Sequence, residues 1–288
     1  MMRAYYRVKR FLKIGRLQYR RWLASRNWGR AALHQAPKVF GIALPKGGSH
    51  FIHQTLSGLA EIGPFIKPGL PPVNRFEDNS QLSQEEILLN INRMKSGEIR
   101  YGYIPCVEPF LQSLTKPDRA TVFIYRDPRD LVISHVFYAT DMHLGHGMHE
   151  YYQQLHSMED RINVAIEGCK IEGSELPSIW ERYQPHLKWI NTPEVLSVRF
   201  EDLILNREAV LANILEYIES FGVIFSIPRQ EAIEKLGSAI KPKKSGTFRK
   251  GKPGNWQEHF TPDNKKRFQE VAGDLLSKLG YEENDLEW

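Results

Sequence analysis

VFGIALPKGGSHF, residues 39–51, is the stretch from which the rest of the chain is read. Val39 to Leu44 is a continuous apolar run, as a strand buried on both faces requires. Pro45, Lys46, Gly47 and Gly48 break it. From His50 to Ile62, the residues Phe51, Ile52, Thr55, Leu56 and Leu59 fall at helical spacing. A strand, a glycine loop with one lysine and then a helix make a seat for an anion. Gly47 and Gly48 let backbone N–H groups turn toward it, the helix N-terminus adds partial positive charge, and Lys46 adds a mobile full one. The seat is not the G-x-x-x-x-G-K-[ST] loop of nucleotide hydrolases, because no Gly-Lys-[Ser/Thr] follows the loop glycines.

Outward from this seat, strand-like and helix-like segments alternate from Ala36 onward, which predicts α/β with a largely parallel sheet. LPPVNRFEDNSQLSQEE (70–86) reads as an irregular loop ending in a capping box, Ser83 with Glu86, before a helix over Ile87 to Met94. ATVFIYR (120–126) is a second buried strand. DPRD (127–130) then starts a helix: Asp127 caps, Pro128 takes the first helical position, and Asp130 stands where a capping acid belongs. Residues 141–178 are polar and rich in His, Gly and Glu, and are expected to cover the site. Trp180, Tyr183, Leu187 and Trp189 mark a helical stretch whose aromatics pack. Val195 to Phe200 is a third strand, and Arg207 to Phe221 a helix closed by Gly222.

In open α/β sheets, ligands bind beyond the carboxyl ends of strands. The 45–50 loop falls at one such end. Arg126 falls at another, with Ser134 about two helical turns further on. A third cationic stretch, FRKGKPGNW (248–256), sets Arg249, Lys250 and the N–H of Gly251 in a loop that can close on a phosphate.

PKGGSHF after a strand, YRDPRDLVISHVF (125–137), FEDLI (200–204) and FRKGKPGNW resemble, in order and spacing, the sulfotransferases that use 3′-phosphoadenosine 5′-phosphosulfate. The resemblance spans most of residues 38–270, and the combination of motifs is more specific than any one. It implies a P-loop-like three-layer fold with a central, largely parallel sheet flanked by helices, in a single domain over 36–288. Lys46 then resembles the lysine at the bridging oxygen between phosphate and sulfuryl groups. Gly47, Gly48, Ser49 and His50 resemble the residues around the 5′-phosphate. Phe51 stands at the usual tryptophan position on adenine. Arg126 and Ser134 resemble ligands of the 3′-phosphate, as do Arg249, Lys250 and Gly251. Phe200 replaces a tyrosine, and Ser238 matches a hydroxyl residue near the adenine. The donor is the cosubstrate, adenosine 3′,5′-bisphosphate the product, and no metal is implied.

The family's usual histidine base lies in a segment like K-[ST]-H-x-P. The matching stretch here is RYGYIP (100–105), which puts Tyr103 at that position. A tyrosine with an ordinary pKa of about 10 is a poor base near neutral pH. Three readings stay open: Tyr103 only positions the acceptor; another group is the base, His50 or one of Glu77, Asp78 and Glu108; or the protein binds the donor with little turnover. His50 also reads as a 5′-phosphate ligand. HLGHGMH (143–149) has no helical i, i+4 histidine pair and no partner cysteine, and carries no metal reading. The family's dimer motif falls on Gln257, Thr261, Pro262 and Lys266, where only the threonine matches.

Residues 1–35 lie outside the resemblance. Arg3, Arg7, Lys9, Arg10, Lys13, Arg16, Arg20, Arg21, Arg26 and Arg30 stand there with no acid, and Tyr5, Val8, Leu12, Tyr19, Trp22 and Leu23 are interleaved at roughly helical spacing. No apolar run is long enough to span a bilayer, and the charges break up any signal-peptide core. Two readings are an interfacial helix on anionic lipid and a solvated arm or a helix laid on the domain. The expected location is cytoplasmic, with peripheral membrane contact as the added possibility.

Composition is that of a globular protein, with 41% hydrophobic and 25% charged residues. A net charge of +5 favours anionic partners. Cys106 and Cys169, far apart in sequence, suggest neither a disulfide framework nor a zinc site. Among rivals, a kinase or nucleotide hydrolase lacks its magnesium-binding hydroxyl after the loop. A nucleotide-binding or membrane-surface module fits the Tyr103 departure and the basic arm, but not the intact Lys46. A nucleic-acid binder leaves three phosphate motifs in an α/β core unexplained. The expected acceptor is a small molecule, carbohydrate or lipid.

Overall fold

A computed structural model describes residues 2–241, 251–284 and 288. Among the described residues, six strands run in chain order: β1 Lys38–Ala43, β2 Ile99–Gly102, β3 Arg119–Tyr125, β4 Cys169–Ile171, β5 Ser174–Leu176 and β6 Val195–Arg199. The helices up to β3 are α1 Met2–Trp28, α2 Arg30–Gln35, α3 Ser49–Gly58, α4 Gln84–Asn92 and α5 Phe110–Leu114. Between β3 and β6 come α6 Pro128–Phe137, α7 His149–Gln154, α8 Met158–Glu167 and α9 Ile179–Tyr183. Then follow α10 Phe200–Leu205, α11 Arg207–Glu219, α12 Arg229–Ala239, α13 Pro262–Ala272 and α14 Leu275–Lys278.

The chain divides into two compact units. The first runs to Tyr125 and resumes at Trp189; the second begins at Arg126, ends at Lys188, and takes the C-terminal stretch.

In the first unit, β2-β1-β3-β6 form a four-stranded sheet with every neighbouring pair parallel. Every residue of β3 is buried, and so is β1 after Lys38, which is why both read as unbroken apolar runs. Polar members of β3 are satisfied inside: Thr121 donates its hydroxyl to the Leu114 carbonyl at 2.6 Å, and its N–H goes to the Tyr217 hydroxyl at 2.9 Å. Helices α3, α5 and α11 pack on the strands, and α12 on α3. The capping box before α4 is formed as its spacing predicts. Strand β2 lies within a stretch the sequence pattern left unassigned. It sits at the sheet edge, where Arg100 and Tyr101 interrupt the apolar run.

Helix α1 lies along this unit. Leu17, Ala24 and Trp28 pack with Leu33 and Ile66, Lys13 pairs with Glu77 at 2.5 Å, and Arg21 pairs with Glu98 at 2.8 Å. The arm is thus a helix laid on the first unit, not a solvated one.

In the second unit, α6, α8 and α13 form the core, with Val132, Ile133, Val136, Ile162, Ile166 and Phe268 buried. Residues 141–178, polar in overall composition, contain α7, α8 and the β4–β5 hairpin, and bury Met148, Tyr152, Ile162, Ala165 and Ile166. Buried Asn264 ties α13 to α8 through the Glu159 carbonyl and the Asn163 side chain, at 3.1 and 2.6 Å. Cys106 is buried and Cys169 half-buried, and neither forms a disulfide among the described residues. Among the described residues, no helix is long and apolar enough to cross a membrane.

Candidate functional site

All four strands of the sheet run the same way, so β1, β2 and β6 deliver the residues that follow them to one edge. After β1 comes Leu44–Gly48, after β2 comes Tyr103, and after β6 comes Phe200.

The loop after β1 turns tightly, with Gly47 N–H donating to the Leu44 carbonyl at 2.9 Å. The left-handed positions are Lys46, at φ 67°, and Gly48, at φ 102°; Gly47 is not one of them. A lysine held there costs about 1 kcal/mol or more relative to a relaxed backbone. Gly48 is needed for space as well as for φ: a Cβ there would stand 2.8 Å from Phe200 Cδ2 and 3.1 Å from Ile124 Cδ1. Helix α3 takes Gly48 as its N-cap, has no side-chain cap and carries no acid in its first turn. Its ladder opens with Ile52 N–H on the Gly48 carbonyl at 3.1 Å, so the Ser49 and His50 amides have no acceptor within the helix. Here the helix dipole, two amides and the Lys46 charge converge on one turn of backbone.

Around this turn the first unit gathers several of the sequence-derived candidates. The Ser49 and Tyr103 hydroxyls are 3.3 Å apart. Phe51 and Phe200 meet edge to face with centroids 5.2 Å apart, which leaves an apolar wall where adenine was expected. His50 has an exposed side chain. Partial burial first, and the Lys46 charge second, hold its imidazole below its ordinary pKa and so favour its neutral form. One turn on, His53 lies against Tyr101 with ring centroids 4.4 Å apart. Burial, then His50 and Arg100, push its pKa down to about 4. Ser238 stands exposed on α12, its hydroxyl donating to the Lys235 carbonyl of its own helix at 2.8 Å.

Tyr103 is held by a residue that the sequence did not single out. Its N–H donates to the Asn74 side chain at 3.1 Å, and Asn74 is buried. Asn74 sits in the 70–86 loop, where a single polar residue among several gives no signal. The other acidic candidates are engaged or peripheral. Glu77 is taken by Lys13, Asp78 accepts from Ser80 N–H and hydroxyl at 3.0 and 2.5 Å, and Glu108 is exposed.

The second unit holds Arg126, Ser134 and Gly251; Arg249 and Lys250 lie outside the described residues. Arg126 is buried, and its carbonyl accepts from the Tyr183 hydroxyl at 2.6 Å. Its guanidinium lies 3.6 Å from the Asp130 carboxylate. Asp127 caps α6 as expected, through the Arg129 N–H at 2.9 Å. Asp130 does something else: its two oxygens accept from Gly254 N–H and Trp256 N–H, each at 2.9 Å. The acid that reads as a capping residue therefore fastens the end of the 248–256 stretch to α6. Ser134 lies on α6, two turns in, and is half-buried. The dimer-motif positions serve locally here, with Thr261 capping α13 and Pro262 at its first turn. Among the described residues, no cluster of His, Cys, Asp and Glu is placed to hold a metal ion.

A family profile described as "Sulfotransferase domain" matches residues 36–280. The chain belongs to the sulfotransferase domain family. Two Arabidopsis thaliana relatives, cytosolic sulfotransferase 16 and cytosolic sulfotransferase 17, are 23% and 22% identical over 218 and 214 residues. Those alignments take in 67% and 66% of this chain, but only 60% and 57% of the relatives' own lengths. The fold is also that of solved sulfotransferases. A mouse sulfotransferase, SULT7A1, complexed with PAP is 14% identical with a TM-score of 0.58, covering 89% of this chain and 90% of that one. A retinol dehydratase complexed with androsterone and inactive cofactor PAP is likewise 14% identical, with a TM-score of 0.51 and coverage of 85% and 83%.

Proposed function

We propose that this sulfotransferase-family chain moves a sulfuryl group from 3′-phosphoadenosine 5′-phosphosulfate to a hydroxyl or amine of a small acceptor. The observation that carries the reading is the uncapped N-terminus of α3, with Lys46 held in a left-handed turn beside it. That turn suits a 5′-phosphosulfate: dianionic, compact and satisfied by amides plus one cation. The apolar pair Phe51 and Phe200 suits the base of the nucleotide. Arg126, Ser134 and the 249–251 stretch take the 3′-phosphate, and Ser238 the adenine side. The retinol dehydratase structures hold androsterone and retinol, and an acceptor of that class, small, apolar and carrying one hydroxyl, is the one we favour over a carbohydrate. The site of action is the cytoplasm, as the names of the plant relatives suggest.

In this reaction the acceptor oxygen attacks sulfur in line, a new O–S bond forms, and the bond from sulfur to the bridging phosphate oxygen breaks. Adenosine 3′,5′-bisphosphate leaves with the bonding pair. Lys46 and the first-turn amides of α3 neutralise the charge that grows on the leaving phosphate. The acceptor's proton goes to His50, whose neutral form is favoured by partial burial and the Lys46 charge. Tyr103, fixed by Asn74 and Ser49, orients the acceptor hydroxyl.

The test is calorimetric titration with adenosine 3′,5′-bisphosphate, with AMP and ATP as controls, in the absence and presence of magnesium. Binding that requires the 3′-phosphate and not magnesium is expected. A preference for magnesium-ATP, or equal binding of AMP, would overturn the reading.

A further inference from the structure

Helix α1 is amphipathic in an unusual sense. The side turned to the first unit carries cations. Arg10 donates to the Asn90 side chain at 3.2 Å, Lys13 and Arg21 pair with Glu77 and Glu98, and Arg20 donates to the Pro68 carbonyl. The side turned away carries the large apolar residues. Tyr5, Val8, Leu12, Tyr19 and Trp22 recur at steps of three, four, seven and three residues, which keep one helix face, and all are exposed, Trp22 at 51%; Phe11 beside them is 75% exposed. Most of the large apolar side chains exposed among the described residues stand on this one helix, and a monomer rarely leaves such a patch uncovered without use.

The charge around the patch selects its partner. Lys9 and Arg16 flank it, and Arg26 continues it, with its guanidinium 5.7 Å from the Trp22 ring. Helix α1 contains no acid. The chain has 39 basic and 34 acidic residues; ten of the basic ones and none of the acidic ones precede residue 36, so residues 36–288 hold 29 against 34, a net of −5. The whole positive excess sits on the segment that bears the exposed aromatics. At the C-terminal end of α1, a hollow of about 510 Å³ adds Arg30, His34 and Lys95 to its wall. An acidic body with a basic, aromatic helix laid on it fits a negatively charged interface that accepts apolar side chains at headgroup depth.

We propose that the outward face of α1 docks on anionic phospholipid bilayers. Phe11, Leu12, Tyr19 and Trp22 enter the headgroup boundary, and Lys9, Arg16, Arg26 and Arg30 meet lipid phosphates. The proposal uses none of the donor-site residues and stands whether or not sulfuryl transfer is the reaction.

The test is co-sedimentation of the full chain with phosphatidylcholine vesicles, with and without phosphatidylserine. Pelleting only with the anionic vesicles, and release by high salt, are expected. Arg16→Gln with Arg26→Gln should weaken partition roughly 30-fold, at about 1 kcal/mol per cation near the surface. Phe11→Ser with Trp22→Ser should weaken it on the order of 100-fold. Both pairs are exposed, and unchanged circular dichroism and melting would show that the fold is kept. Equal pelleting with both vesicles, or none with either, would overturn the proposal. So would a dimer in solution that Trp22→Ser splits, because a second copy would then be the occupant.

Discussion

The ends of β1 and β3 are both strand-to-helix turns with a charged residue after the strand, and they are built in opposite ways. After β1 the helix begins on a glycine, with no cap and no acid, and the backbone is bent into the left-handed region at Lys46 and Gly48. After β3 the helix is closed by its own side chains. Asp127 caps it, and Arg129 locks onto Asp127 and Glu282 at 2.7 and 2.6 Å. The Arg129 guanidinium also lies 4.1 Å from the Trp256 ring and 4.7 Å from the Trp288 ring. A helix N-terminus capped by Asp127 and carrying Asp130 in its first turn disfavours a further anion. One turn keeps its amides for a ligand and tolerates strain to do so; the other satisfies itself and holds its unit together. If an anion binds near β3, it binds through side chains, and Arg126 is the one the strand delivers.

The largest effect that would sharpen this contrast is on stability. Arg129→Ala leaves buried Asp127 and half-buried Glu282 without their shared cation and should lower unfolding free energy by about 3 kcal/mol. Denaturant titration reads this directly, and a loss within 0.5 kcal/mol would break the claim that this end is structural. Lys46→Gly is the opposite case. It relieves a left-handed lysine, so stability should hold or rise by about 1 kcal/mol, while turnover falls on the order of 100- to 1,000-fold with donor affinity changed much less. Steady-state kinetics beside a melting curve separates the two. Gly48→Ala forces a Cβ against Phe200 and Ile124 at a positive φ, and should cost about 1–3 kcal/mol and weaken adenosine 3′,5′-bisphosphate binding in the same titration.

A smaller effect concerns acid. His53 on α3 has a folded pKa of about 4 against 6.5 when unfolded. The unfolded chain therefore takes up the proton first as pH falls below 6.5. Stability contributed by neutral His53 is full above that pH and is lost toward pH 4, by about 2 kcal/mol between pH 7 and pH 5. His53→Gln, compared with wild type at both pH values, should remove that part of the acid sensitivity. An unchanged slope would show that His53 is not the group responsible.

The sequence made the open turn legible because its signals are local. A buried apolar run, paired glycines and a lysine sit within thirteen residues, and their roles follow from backbone geometry alone. The same is true of the Ser83 and Asp127 caps. What it could not show depends on contacts between distant segments. Strand β2 has two polar residues in a four-residue strand at an edge, too little pattern to announce itself. Asn74 gains its role only because the Tyr103 amide lies against it. Asp130 has the position of a capping acid, yet it accepts from amides more than 120 residues away, a use no spacing rule foretells. The Gly47–Gly48 pair draws the eye to the glycines, whereas the left-handed positions are Lys46 and Gly48, since a lysine in sequence does not advertise a positive φ.

The Lys13–Glu77 pair has a practical consequence for anyone shortening the protein. Glu77 is nearly inaccessible, with one carboxylate oxygen on Lys13. A version starting at residue 36 would keep the whole family-matched region and still lose the only cation seen beside that carboxylate among the described residues. It would also move from a net charge of +5 to −5, bind anion-exchange rather than cation-exchange resin, and bare the apolar groove now filled by Leu17, Ala24 and Trp28. What looks like a dispensable leader is, for the first unit, one of its walls.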